Sequence, residues 1–270
     1  MTQPHQYVAT NIDDRGIATI TMLRQAVHNA FDDEMIAQLI NAFETLSAEP
    51  KARVLILRSL GKNFSAGADL NWMRSMAKKN YQENLDDAGV LARLMQVIAQ
   101  SPKPTIALVQ GAAFGGAVGL VACCDIAVAT NRASFCLSEV KIGLIPAVIS
   151  PYVVAAIGRR QAQRYFLTAE RFRAEQALQF GLVHHICDEE GDDALLNSAM
   201  PIVDALLANS PAAMTQAKEL IHFVADKEIN EATIHGTSER IAAIRVSEEG
   251  QEGLSSFLEK RSPRWLNKQD

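Results

Sequence analysis

Strand-like runs rich in apolar and β-branched residues open the chain at Tyr7–Ile12 and Ile17–Met22, with Asp13-Asp14-Arg15-Gly16 between them. Two such runs separated by a turn cluster predict two strands joined by a tight connection. The pattern then changes. After Phe31-Asp32-Asp33-Glu34 the apolar residues Met35, Leu39, Ile40, Phe43 and Leu46 recur at helical spacing, and Pro50 stands just beyond the predicted helix. Within Arg53–Arg58 the run Val-Leu-Ile-Leu is continuously apolar, as in a strand covered on both faces. A loop over Gly61–Asp69 leads to a helix near Leu70–Met76, and a second, amphipathic helix is predicted at about Glu83–Gln100. Pro102 and Pro104 introduce a further buried strand at Thr105–Val109. The glycine-rich stretch Gly111–Gly119 then passes into a helix, and Asp125–Ala129 returns as a strand.

Strand, loop and helix thus recur without an exact repeat, which predicts an α/β architecture. Past Ile145 the pattern is mostly helical, apart from a strand predicted at Leu182–Cys187. From Asp192 to Phe257 helical runs are nearly continuous, with a break at Asn209-Ser210-Pro211. The expected organisation is one α/β core over residues 1–195 and a helical C-terminal region over 196–270.

Composition narrows the function. A formal net charge of -5, with 26 Lys and Arg against 31 Asp and Glu, argues against a nucleic-acid binder, which needs clustered cations for phosphates. No apolar run is long enough to span a bilayer, and the N-terminus shows no signal peptide, so a cytoplasmic protein without membrane attachment is expected. The four cysteines, Cys123, Cys124, Cys136 and Cys187, lack CxxC spacing and are read as buried free thiols. Neighbouring His184 and His185 in one strand would face opposite ways, so they are not expected to chelate a metal. Arg159, Arg160 and Arg164 read as a solvated helix face, and Trp72, Met73 and Met76 as core or as lining of an apolar pocket.

Three segments carry candidate chemistry. Phe64–Leu70 (FSAGADL) places small residues before a helix, where backbone N–H groups are uncovered and negative charge is favoured, with Asp69 placed as the N-cap. Gly111–Gly119 (GAAFGGAVG) repeats the arrangement with Gly115 and Gly116 before a second helix. Its spacing is neither GxGxxG nor GxxxxGK[ST]. Two such turns can offer two N–H donors to one oxygen, as an enolate or tetrahedral oxyanion requires. In the third, Phe135–Pro146, Glu139 sits among apolar residues that would raise its pKa toward neutrality; a surface pairing with Lys141 is the plainer alternative.

Together, FSAGADL, GAAFGGAVGLVACCDIA and SEVKIGLIPA resemble the signature blocks of the crotonase (enoyl-CoA hydratase/isomerase) family, in order and separation. The likeness continues through Leu167–Phe172, Ala174–Gly181 and Phe257–Arg261. The resemblance implies a spiral of strand-strand-helix turns with a helical C-terminal extension, an acyl-CoA thioester substrate, no cofactor beyond the CoA carried by substrate, no metal, and a homotrimer or hexamer. It places the oxyanion hole on the N–H groups of Ala68 and Gly116 and the catalytic acid on Glu139. It also assigns Val27, Ala66, Ala68, Asp69, Leu70, Gly115, Gly119 and Lys260 to the substrate and CoA channel, with Lys260 expected to reach a CoA phosphate across a subunit boundary.

One position departs from the pattern. Hydratases of the family carry a second glutamate three residues after the oxyanion-hole glycine, and here that residue is Gly119. A single glutamate suffices for the family's isomerases. Yet SAGADLNWMRSMA, GAVGLVACCDIAVA and IPAVISPYVV resemble a bacterial branch of 3-methylglutaconyl-CoA and γ-carboxygeranoyl-CoA hydratases that shares the missing glutamate. The expectation is therefore reversible hydration of a branched, carboxylated 2-enoyl-CoA. Double-bond isomerisation through Glu139 alone is the alternative, and a non-catalytic CoA-ester-binding or scaffold protein is the third reading.

Overall fold

The computed structural model describes residues 5–188 and 193–266, so the first four residues and Asp192, where helical runs were expected to begin, lie outside it. The chain divides into two compact units, Met1–Ser101 with Thr105–Met200, and Pro102–Pro104 with Pro201–Asp270.

In the first unit, strands β1 (Val8–Ile12) and β2 (Ile17–Met22) form the expected antiparallel pair. Helix α1 (Asp33–Ala48) follows, capped by the Asp32 carboxylate, which accepts from the Met35 N–H. Strand β3 (Val54–Ser59), helices α2 (Leu70–Met76) and α3 (Tyr81–Ala99), and strand β4 (Thr105–Val109) come next. A short strand β5 (Ala112–Phe114) then precedes helix α4 (Gly116–Cys123), strand β6 (Ile126–Thr130) and strand β7 (Ser134–Cys136). A 3-10 turn, Glu139–Ile142, leads to α5 (Ser150–Thr168), broken at Gly158, then β8 (Phe172–Arg173), α6 (Ala174–Phe180), β9 (His185–Cys187) and α7 (Ala194–Ala208). The expected division at residue 195 falls inside α7.

Six strands form one sheet in the order β1-β2-β3-β4-β6-β9, parallel from β2 onward. Parallel neighbours require crossover helices, and a sheet covered on both faces explains why all residues of β3 except Arg58, and all of β4, are buried. The architecture is the expected α/β repeat, followed by helices.

The glycine-rich stretch does not pass directly into a helix. Ala112–Phe114 first joins a second sheet, β5-β7-β8, whose strands are too short to show a period in sequence. Strand β9 is also shorter than the expected Leu182–Cys187: residues 182–184 turn, because the Leu182 and Val183 N–H groups donate to the Ala177 carbonyl at the end of α6.

The second unit contains α8 (Pro211–Val224), α9 (Glu231–Val246) and α10 (Glu248–Glu259), which pack on one another. Besides the expected break at 209–211, the chain breaks again before α9, where Asn230 caps the Thr233 N–H.

Candidate active site

Three chain segments run side by side and in the same direction toward the site. Strands β5 and β7 pair in parallel, with Phe114 opposite Cys136. Ser65 forms a parallel bridge to Ala113, donating to the Ala112 carbonyl at 3.0 Å and accepting from the Phe114 N–H at 3.1 Å. Parallel ribbons in register deliver their following turns to one end. Those turns carry Ala68, Gly115-Gly116 and Glu139.

The first turn is held from below by a buried latch. Asn29, fully buried, donates its side-chain amide to the carbonyls of Leu60 and Asn63, and the Ala66 N–H donates to the His28 carbonyl. Phe31 then bridges Ala68: its N–H donates to the Gly67 carbonyl and its carbonyl accepts from the Asp69 N–H. In such a parallel bridge the peptide groups of the opposite residue, Ala68, face away from the ribbon. The Ala68 N–H accordingly has no acceptor among the described residues.

Asp69 caps α2 as expected, one carboxylate oxygen accepting from the Asn71 and Trp72 N–H groups. The other oxygen lies 3.2 Å from Arg24 Nη2, which also bridges Asp32 at 3.0 Å. Both oxygens are thus committed to positioning the turn. Sequence reasoning missed Arg24 and Asn29, whose partners include Asp69, 45 residues on, and Leu60 and Asn63, 31 and 34 residues on, separations that leave no local pattern.

The second turn depends on glycine. Gly115 adopts φ 55° and ψ -127°, in the region closed to other L-residues, and its N–H donates to the Cys136 carbonyl at 2.8 Å. Gly116 opens α4, so its N–H is one of the groups a helix start leaves without an internal acceptor, and none of the described residues accepts from it. Close approach is required here too: a Cβ on Gly116 would lie 2.7 Å from Phe31 Cζ, and one on Gly67 2.8 Å from the Phe114 carbonyl oxygen. The two turns are packed against each other.

Glu139 completes the group. Its Oε1 lies 3.3 Å from the point where a Gly115 Cβ would stand, and its Oε2 is buried without a hydrogen-bond partner. Burial raises the carboxyl pKa, a hydrogen bond from its own backbone offsetting this only in part. It makes no ion pair with Lys141. Two free N–H groups and a desolvated carboxyl beside them can polarise a carbonyl oxygen and exchange a proton with an adjacent carbon or water.

A profile of the family described as Enoyl-CoA hydratase/isomerase matches residues 13–268. The chain belongs to the enoyl-CoA hydratase/isomerase family. A solved enoyl-CoA hydratase from Shewanella pealeana is 55% identical, superposes with a TM-score of 0.93, and the match covers 97% of both chains. The 2,3-dehydroadipyl-CoA hydratase of Escherichia coli is 29% identical over 92% of this chain and 94% of its own length. The mitochondrial Delta(3,5)-Delta(2,4)-dienoyl-CoA isomerase of Dictyostelium discoideum is 28% identical over 93% of this chain and 88% of its own. The protein is therefore a crotonase-fold enzyme whose chemistry is the family's, acting on an enoyl-CoA thioester.

The other expected channel residues lie on separate elements. Val27 ends a 3-10 turn, Gln25–Val27, and is 42% exposed; Leu70 is 69% exposed at the start of α2; Ala66 precedes the first turn. Gly119 lies buried on α4, one turn beyond Gly116. Lys260 belongs to the second unit, exposed at the left-handed end of α10.

The groups set aside in sequence stay apart from this chemistry. All four cysteines are buried and outside any disulfide among the described residues, and burial next to Cys124 pushes the Cys123 thiol far up, away from reactivity. His184 Nδ1 accepts from the Ala127 N–H at 3.1 Å, a structural use. No cluster of three His, Cys, Asp or Glu able to hold a metal occurs among the described residues. Among the described residues no helix is long and apolar enough to cross a membrane.

Proposed function

We propose that the enzyme reversibly hydrates a branched, carboxylated 2-enoyl-CoA of the 3-methylglutaconyl-CoA type. The thioester oxygen accepts from the Ala68 and Gly116 N–H groups, which draws electron density from C3 and stabilises the enolate formed when water adds there. Glu139 takes a proton from that water and returns it to C2, so a single carboxyl serves both ends of the addition and the water's atoms are fully accounted for. The observation that carries this reading is the half-buried Glu139 carboxyl, one oxygen without a partner, against Gly115, one residue before a free helix-start N–H.

Support for a carboxylated substrate comes from the bacterial-branch strings and from the Escherichia coli relative, whose name is that of a dicarboxylic enoyl-CoA hydratase. The substrate's own carboxylate would then help to hold the water. In this reading exposed Val27 and Leu70 serve the CoA portion, and Lys260 reaches a CoA phosphate of a neighbouring subunit through its charge. Exposed apolar side chains on the C-terminal helices, Val246 at 79%, Phe257 at 82% and Leu258 at 76%, fit a region that packs subunits into a trimer or hexamer. We place such an assembly in the cytoplasm.

Gly119 favours a second reading, double-bond isomerisation, in which Glu139 moves one proton between C2 and C4. A spectrophotometric assay of the purified protein with 3-methylglutaconyl-CoA, crotonyl-CoA and a 3-enoyl-CoA separates the two. Hydration preferring the carboxylated ester is expected. Turnover confined to the 3-enoyl-CoA would replace hydration by isomerisation.

A further inference from the structure

Gly119 is more than a position from which a glutamate is missing. A Cβ there would lie 2.2 Å from Ile149 Cγ2, 2.7 Å from Ile149 Cβ and 3.2 Å from Met95 Sδ. Ile149 is β-branched, and its Cβ, which no rotamer moves, would itself lie within 3 Å, so a rotamer change alone does not make room. Met95 is fully buried and lies 3.6 Å from Cys123 Sγ, which leaves the pair little freedom to retreat. The space that a side chain at 119 would enter is already filled.

The filling residue is tied to the site. Gly116 and Gly119 are one helical turn apart, so they share a side of α4. Helix α5, for which Ile149 is the N-cap, packs against α4 and against the 3-10 turn that carries Glu139. A chain of tight turns fixes the path from Glu139 to Ile149: the Leu144 N–H donates to the Glu139 carbonyl, Ala147 to Ile145, and Ser150 to Ala147. Ile149 itself is 2% exposed, and the Val153 N–H donates to its carbonyl at 3.0 Å.

We infer that Ile149, seated against Met95, is a specificity-determining residue: it bars a side chain from position 119 and thereby makes Glu139 the only enzyme carboxyl at the reacting end of the substrate. The inference rests on the proposed role of Glu139. Its consequence concerns substrate class. An enoyl-CoA that brings its own carboxylate supplies a second group to hold water, whereas an unsubstituted ester does not. The block at 119 therefore disfavours the simple esters.

Two measurements test this. The first is a stability cycle of Gly119→Ala, Ile149→Ala and the double variant. Gly119→Ala is expected to lower Tm by on the order of 5 °C through overpacking. The double variant should be less destabilised than the sum of the two, because the methyl added at 119 enters the space vacated at 149. Additive effects, or a Gly119→Ala protein as stable as wild type, would overturn the steric claim.

The second compares kcat/KM for crotonyl-CoA and 3-methylglutaconyl-CoA in wild type, Gly119→Glu and Gly119→Glu/Ile149→Ala. The double variant is expected to shift the ratio toward crotonyl-CoA by at least about tenfold, a small part of the roughly 10²–10⁴ that one well-placed acid/base group supplies. It should also gain a second carboxyl ionisation in its pH profile, while Gly119→Glu alone does neither. A folded double variant with an unchanged ratio would overturn the specificity claim. Wild type inactive on 3-methylglutaconyl-CoA would instead sink the proposed hydration, and the stability cycle would still report on Ile149.

Discussion

At the scale of single residues, Glu139 combines an expected catalytic use with a cost to stability. Its carboxyl is buried, and one oxygen lacks any partner, so its pKa stands above the ordinary carboxylate value. Replacing it as Glu139→Gln should lower kcat by on the order of 10²–10⁴ while leaving the fold intact, checked by the hydration assay beside circular dichroism. The same change should raise stability near neutral pH. A carboxyl whose folded pKa is raised binds more protons folded than unfolded, so wild type loses stability as pH climbs from the unfolded pKa through the folded one. Below the unfolded value, about 4.3, both states are protonated and the penalty disappears. Thermal unfolding should therefore show Glu139→Gln more stable than wild type at pH 7–8, and the gap closing near pH 4. A gap that widens on acidification would mean the carboxyl is stabilised as an anion. The residue types around Glu139 could suggest this behaviour from sequence, but equally well a surface pair with Lys141. Only the likeness to a family separated the two readings, because the burial comes from β5, β7 and Gly115, set by chain topology.

At the scale of elements, the periodic segments were legible and the short ones were not. Helix α2 and strand β4 fall where apolar spacing and flanking Asp69 or Pro104 put them. Strands β5, β7 and β8 have three residues or fewer, below the length at which a period of two can be read, and they are the elements that aim the site. The turns between elements therefore hold most of what sequence left open. Gly115 shows the consequence: φ 55° with ψ -127° costs a residue with a Cβ about 1–3 kcal/mol, and that Cβ would stand 3.3 Å from Glu139 Oε1. Gly115→Ala is expected to lower kcat far more than its stability loss explains, since it turns the Gly116 N–H and crowds the carboxyl together. Parallel kcat and chemical-denaturation measurements check this, and equal KM and kcat losses would argue for a general loosening instead. Asp69 makes the complementary case. Asp69→Ala removes the α2 cap, worth about 0.5–2 kcal/mol, and strips one partner from Arg24. Denaturant titration should register that loss, with activity falling because the first turn is displaced.

At the scale of the whole molecule, the family was readable along nearly all the chain, whereas the second unit was readable as helices broken at 209–211 with a family likeness at 257–261. What closes that unit is a carboxylate that sequence gave no reason to single out. Glu252 accepts from Arg261 at both oxygens, from the Arg264 backbone N–H at 2.9 Å, and pairs with Arg264 Nε at 3.1 Å, so one side chain ties α10 to the segment that follows it. The Arg261 hydrogen bonds are the main cause that holds its pKa down to about 2. A carboxyl depressed in the folded state contributes stability above its unfolded pKa of about 4.3 and loses it as pH falls toward about 2. Glu252→Gln should therefore be less stable than wild type at pH 7, and the difference should shrink across that acid interval. Because Glu139 acts with the opposite sign over pH values above 4.3, the two variants should converge on wild type from opposite sides when unfolding is followed from pH 8 to pH 2. A Glu252→Gln protein whose deficit stayed constant to pH 2 would place the stabilisation in packing and neutral hydrogen bonds instead of in the ionised carboxylate.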